Sequence, residues 1–346
     1  MYVPILKNRL YENKFLRDNS YLFDKNVSPL IEVLELKIGR TKKTIPEIIQ
    51  EYDKTLNSMY FLDFFTFTHG EYSRVDLNQV EFSIKIQSEK NYKYDDLLME
   101  CTGSNYCIPV ISIKEARVFM LDQNRIKKTI LDLQKHKDII AVRISASLFD
   151  TYINTIDSVL RDQDYFFYDI NEENIEPRYF DLITIRNLNK KYRKLVIHSP
   201  RPSKLNNGSY SDGYYTDLID NELRNTYKLN GFTGFSDYAG LKNVLPTSGG
   251  NGQGAALGLF YVNEKNAFFS IMNQDTTKGA RGYAYVIREA FAKHKIILNP
   301  SNDCPAFDYI DNVLRSRGKS GAWGQWKYIT ILRYISQIKM STNSHL

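Results

Sequence analysis

The sequence predicts an α/β fold: a (β/α)8 TIM-like barrel with a C-terminal hairpin and helical appendage. Three observations carry this expectation. Short apolar runs recur about eight times, beginning roughly 26 to 47 residues apart, the spacing of repeated strand-plus-helix units. Segments of helical period separate the runs. No Gly-x-Gly-x-x-Gly turn follows the first run, which weakens the dinucleotide-binding open sheet, the other arrangement that alternating strands and helices satisfy.

In order, the runs are "YVPIL" from Tyr2, "VSPLIEV" from Val27, "MYFLDFF" from Met59, "YCIPVISI" from Tyr106, "IIAVRIS" from Ile139, "YFFYDI" from Tyr165, "KLVIHS" from Lys194 and "GFTGFSDY" from Gly231. Between them, Ile126, Ile130 and Leu133 share a helical face, as do Leu148, Tyr152, Ile156, Val159 and Leu160, and Ile219, Leu223 and Tyr227. Ser147 is placed to cap the second of these helices. Strand and helix alternate up to about Tyr238, which predicts parallel strands joined by right-handed crossovers. The barrel core is expected over residues 1–240 and the appendage over 241–346.

The appendage opens on the glycine-rich "TSGGNGQGAALG" (Thr247 to Gly258). A phosphate cradle needs a Lys, a following Ser or Thr and then a helix, whereas this run leads into a strand, so a connector is the better reading. "LGLFYV" and "AFFSIM" around "NEKN" predict an antiparallel hairpin. Gly249 to Ile271 is expected to overlie the barrel rim as a partly mobile lid. In the last helix, Tyr328, Ile331, Leu332, Ile335 and Ile338 form an apolar stripe read as core packing.

Hydrophobic residues at 42% and charged residues at 25% exclude a disordered chain. With no run of ~18 to 20 apolar residues and no leader pattern, a cytoplasmic protein without membrane contact is expected. Cys101 and Cys107 in "CTGSNYC" lack zinc-knuckle spacing and Cys304 stands apart, so free thiols in a reducing compartment are expected. The net charge of +6 is spread along the chain. Its densest clusters, "RIKK" at Arg125 to Lys128 and "NKKYRK" at Asn189 to Lys194, read as solvated helix faces rather than a nucleic-acid stripe.

Side chains alternate across a strand, so the face of each strand-end residue follows from its neighbours. Ile140, Val142 and Ile144 suit the helix-facing side, which turns Arg143 into the barrel. The same exercise turns Lys7, Glu32, Asp63, Ser112, Asp169, His198 and Asp237 inward, with Leu195 and Ile197 facing the helices. A polar residue late in nearly every run predicts a lined pocket at the C-terminal rim, where barrels of this type bind ligands; an internal salt-bridge layer is the alternative. Two cations, Lys7 and Arg143, face four carboxylates, and that excess calls for protons, a cationic substrate or a hard divalent ion such as Mg2+. The candidate roles are metal binding for Glu32 and Asp63, substrate binding for Lys7, Arg143 and Ser112, and acid–base chemistry for His198 with Asp169 and Asp237.

Four stretches resemble the Beta protein family, which occurs in phages and in bacterial mobile or defence-associated regions: "YVPILKNRLYE", "SPLIEV", "FSDY" at Phe235 to Tyr238 and "WGQWKYITILRYI". The resemblance runs over essentially the whole chain, with Ser236 standing where the family pattern has glycine. It implies a cytoplasmic protein of phage–host conflict and carries no catalytic roles. The expected partner is a phage or host protein or a small anionic ligand, the latter held by Lys7 and Arg143. The expected function is a metal-assisted hydrolase of a phosphoester or glycosyl bond; the alternative is a non-catalytic recognition or sensor module.

Overall fold

Each of the eight apolar runs forms a strand, and the eight close into one parallel barrel: β1 (Tyr2–Lys7), β2 (Leu30–Val33), β3 (Tyr60–Phe64), β4 (Cys107–Ile113), β5 (Ala141–Ser145), β6 (Tyr165–Asn171), β7 (Arg193–His198) and β8 (Gly234–Asp237). Neighbours follow chain order, and β8 pairs with β1 to close the ring. The computed structural model describes residues 1–67, 75–188, 191–247, 254–297 and 305–343, the side chains at 294–297 and 342–343 excepted. Nearly every strand residue is buried, as expected of parallel strands packed inside against one another and outside against helices.

The intervening helices follow from local sequence. In Ile45–Leu56 the buried residues Ile45, Ile48, Ile49, Tyr52 and Leu56 recur at helical spacing, and a capping box between Thr44 and Glu47 fixes the start. In Gln123–Gln134, Asp122 accepts the backbone N–H of Arg125 while Ile126, Ile130 and Leu133 face the barrel. Phe149–Val159 departs from expectation at its start: the Ser147 hydroxyl bonds Glu115 and does not cap. Of the expected face Ile219, Leu223 and Tyr227, only Leu223 lies within the short helix Glu222–Thr226. Among the described residues no helix is long and apolar enough to cross a membrane. Cys101 and Cys107 are free and buried, and Cys107 together with burial pushes the Cys101 thiol up.

Register identifies the interior face. Lys7 pairs with Glu32 and Glu32 with Asp63, while Ser112 pairs with Arg143 and Arg143 with Phe167. Glu32 on β2 touches Arg143 on β5, a contact that has to cross the barrel, so these residues and those in phase with them point inward. Lower in the interior, Phe61 meets Tyr165 and Phe167 edge-on at 4.9 and 5.2 Å.

The same register corrects β7 and β8. Ser236 pairs with Val3 and with Ile197, so Ser236, Leu195 and Ile197 face inward. Asp237 pairs with Pro4 and shares the helix-facing side with Phe235, on which Tyr2 stacks at 4.8 Å; the Tyr2 hydroxyl donates to Asp237 at 2.7 Å. His198 is in phase with Lys194, whose ammonium donates to the Ile185 carbonyl in helix Tyr179–Asn187 (2.8 Å), so it too falls on the outer side.

The chain divides into two units. The first is Met1–Ser199, Leu223–Asp237 and Leu245–Thr247; the second is Pro200–Glu222, Tyr238–Val244 and Ser248–Leu346. Pro200–Glu222, which the sequence reading places in the barrel, therefore belongs to the second unit. There the expected hairpin, Ala256–Val262 with Ala267–Asn273, gains a third strand, Tyr214–Thr216, and Gly258 leaves room for Val286 and Trp326 against the sheet. In helix Trp323–Asn343 the predicted stripe is buried, and the fully buried Arg333 donates to the Tyr261 carbonyl at 2.8 Å. Cys304, residues 189–190 of the basic "NKKYRK" run and residues 249–253 of the expected lid lie outside the described residues.

Closure of the barrel is sterically tight at Gly234, where a Cβ would lie 2.6 Å from the Met1 carbonyl oxygen and 3.1 Å from Leu195. Gly234→Ala should cost about 1–3 kcal/mol, whereas Gly103→Ala, with nothing within 4 Å, should stay within about 0.5 kcal/mol. Urea midpoints of the two variants check this.

Candidate functional site

Arg143 sits at the centre of the upper barrel interior with no solvent exposure. Its Nε donates to Asp169 Oδ2 at 2.8 Å, with Nη2 at 2.7 Å from the same oxygen, and its Nη1 donates to Glu32 Oε1 (2.8 Å) and Asp63 Oδ2 (3.0 Å). Lys7 Nζ donates to the other Glu32 oxygen at 2.8 Å, and Ser112 Oγ to the other Asp63 oxygen at 2.6 Å. Asp169 Oδ1 accepts the backbone N–H of Asn171 at 3.0 Å. Strands β1 to β6 thus each give one side chain to a single ionic layer.

Loops close the layer from above. Phe65, two residues beyond Asp63, has two ammonium groups near its ring, Lys7 at 5.2 Å and Lys114 at 5.0 Å from the ring centre. Phe65 belongs in turn to an apolar cluster with Leu34, Phe67, Val80 and Leu245. Asn8 ties down the exit of β2 by accepting the Leu34 N–H (2.8 Å) and donating to the Glu35 carbonyl (2.6 Å). Arg117, also fully buried, donates to the Phe64 carbonyl and lies 3.7 Å over the Tyr94 ring. Its Nε has no hydrogen-bond partner, and no carboxylate among the described residues pairs with it.

The structure therefore brings together Lys7, Glu32, Asp63, Ser112, Arg143 and Asp169, and separates them from His198 and Asp237. Those two occupy adjacent strands on the outer side, His198 being partly exposed and opposite the β6 irregularity where Asn171 takes a left-handed φ of 51°. Glu32 and Asp63 spend both carboxylate oxygens on Lys7, Arg143 and Ser112. Among the described residues no group of three or more His, Cys, Asp or Glu side chains is arranged to hold a metal.

Charge balance also departs from the expected excess of carboxylates. With Asp237 outside, Lys7, Arg143 and Lys114 balance the three carboxylates, and Arg117 is a fourth buried cation that none of them pairs with. Lys114 is the loosest member: its ammonium lies 3.9 Å from Asp169 Oδ2, beyond hydrogen-bond length, and has no acceptor among the described residues. Lys114 and Phe65 were open to the sequence reading, since they continue the inward phase of Ser112 and Asp63. No strand phase points to Arg117.

Burial alone would raise the Glu32 carboxyl, yet Lys7, Arg143 and Lys114 outweigh it and hold the group at about 2. For Lys7 burial wins and the ammonium is lowered, so Glu32, faced by three cations, is the more firmly ionised of the pair. Between about 4.3 and 2 the unfolded chain binds the proton that folded Glu32 refuses. Stability is thus fully present above that window and should fall by on the order of 3 kcal/mol as pH drops through it. Urea midpoints measured against pH should show this loss, and Glu32→Gln should flatten it. Arg143→Met leaves three carboxylates without their shared cation and should cost about 3–5 kcal/mol at neutral pH in the same measurement.

Comparison with protein-family models, with curated proteins and with solved structures finds no match to this chain.

Proposed function

We propose that this chain is a (β/α)8 module that binds a small anionic ligand, one carrying a phosphate or carboxylate, at the C-terminal rim of its barrel. One observation carries the reading: the three carboxylates of the buried layer are matched by Lys7, Arg143 and Lys114, Arg117 adds a further buried cation with no carboxylate of its own, and the Lys114 ammonium has donors to spare. A buried cation costs desolvation that a hydrogen-bonded anion offsets, so an incoming anion gains both charge and acceptor complementarity. Lys114 is the residue we expect to touch it, with Arg143 and Asp169 fixing the lysine's surroundings.

Sensing or recognition fits this arrangement better than hydrolysis, because every carboxylate in the layer is already committed to a partner. The resemblance to the Beta protein family supplies the context, a cytoplasmic role in phage–host conflict. A second reading, hydrolysis of a phosphoester or glycosyl bond, is favoured only by the left-handed Asn171 opposite His198, since strained backbone clusters at reacting sites.

Thermal unfolding with inorganic phosphate and with simple dicarboxylates tests the proposal. The wild-type midpoint should rise, by the equivalent of about 2.7 kcal/mol at ~100 times Kd. Lys114→Met should abolish the rise while keeping the fold, and Lys114→Arg should retain part of it. Midpoints indifferent to every anion, or a rise unchanged in Lys114→Met, would remove the proposal. Turnover of chromogenic phosphoesters or glycosides that His198→Asn abolishes would establish the second reading instead.

A further inference from the structure

Away from the rim, the outer surface of the barrel carries a groove of about 680 Å3 beside helix Gln123–Gln134. Lys127, Lys128 and Lys135 line it together with Arg161, which follows helix Phe149–Val159. The Lys residues are exposed, and Lys127 has no partner among the described residues. Leu131 lies among them with 40% of its surface in water, although helix residues facing the barrel are buried. Asp132 is the lone carboxylate of the lining. Both its oxygens are taken, by Lys128 and by Lys135 at 2.6 Å each, which holds those two ammonium groups in place. Arg161 is likewise fixed by the fully buried Asp164 at 3.1 Å.

We infer that this groove docks an acidic peptide segment of a partner protein through an apolar anchor seated on Leu131. Four cations against two carboxylates, Asp132 in the lining and Asp164 behind Arg161, leave the groove a net positive field that selects an acidic partner and speeds its approach. The cations on Asp132 and Asp164 are pre-organised, so a partner carboxylate meets them with little further ordering. The apolar centre distinguishes a peptide from a nucleic acid. No aromatic ring lines the groove to stack a base, whereas a leucine or phenylalanine between glutamates satisfies both the apolar and the cationic parts of the surface.

Fluorescence anisotropy of the intact chain with a short labelled peptide of glutamates around a central leucine pair tests this directly. Saturable binding should weaken as salt rises. It should fall by about tenfold or more in Leu131→Ser and in a Lys127→Gln, Lys128→Gln double variant, both of which change only exposed positions and should keep the fold, as the far-ultraviolet circular dichroism of each checks. A peptide with the leucines replaced by serine should bind about tenfold more weakly, and a single-stranded oligonucleotide should not compete. The inference is overturned by absence of saturable binding, by binding that ignores Leu131→Ser, or by an oligonucleotide that displaces the peptide. Lys114→Met should leave peptide binding unchanged, which separates this result from that of the rim.

Discussion

One guanidinium organises the upper end of this barrel. Arg143 reaches from β5 to carboxylates on β2, β3 and β6, so strands far apart in the ring answer to the same charge. Such a group is expensive to bury and only good geometry repays the expense. The geometry depends on strand register: a slip of one residue would turn Arg143, or any of its partners, onto the helix-facing side. The ionic layer thus acts as a specification of register more than as a source of net stability. The aromatic interior around Phe61, Tyr165 and Phe167 supplies the apolar burial beneath it.

The layer's charge is uneven from bottom to top. Glu32 and Asp63 are saturated, while the rim side ends in Lys114, held at ionic distance from Asp169 and against the Phe65 ring. Arg117 adds a second cation whose contacts are carbonyls and a tyrosine ring instead of a carboxylate. Positive charge therefore accumulates toward the loops, the part of the architecture from which ligands enter. The apolar cluster of Leu34, Phe65, Phe67, Val80 and Leu245 lowers the local dielectric and sharpens that field.

Much of this was legible in the sequence because parallel strands leave a simple signature. Runs buried on both faces read as short apolar blocks, and alternation placed Lys7, Glu32, Asp63, Ser112, Arg143 and Asp169 inward without knowledge of their partners. The same rule failed at Asp237 and His198. β8 has four residues, too few to reveal its own face, and what settles it is Tyr2 at the other end of the chain, which stacks on Phe235 and bonds Asp237. β7 is apolar on both sides, so Leu195 and Val196 look equally suited to the interior. Lys114 and Phe65 escaped because they stand beyond the last strand-like residue, although their phase was readable. Arg117 belongs to a loop whose path no local pattern encodes.

The second unit is written in three pieces, with Tyr214–Thr216 supplied before β8 and its partner strand Ala267–Asn273 after it. During synthesis the early strand emerges while the chain that will cover it is still unmade, and β1 waits far longer for β8. A protein stopped after β8 would complete its ring of eight strands yet carry an orphan strand in the preceding connection, with open N–H and C=O groups of the kind that recruit other chains. Neither unit can be released by a single cut, so the two are genetically inseparable even though each has its own core.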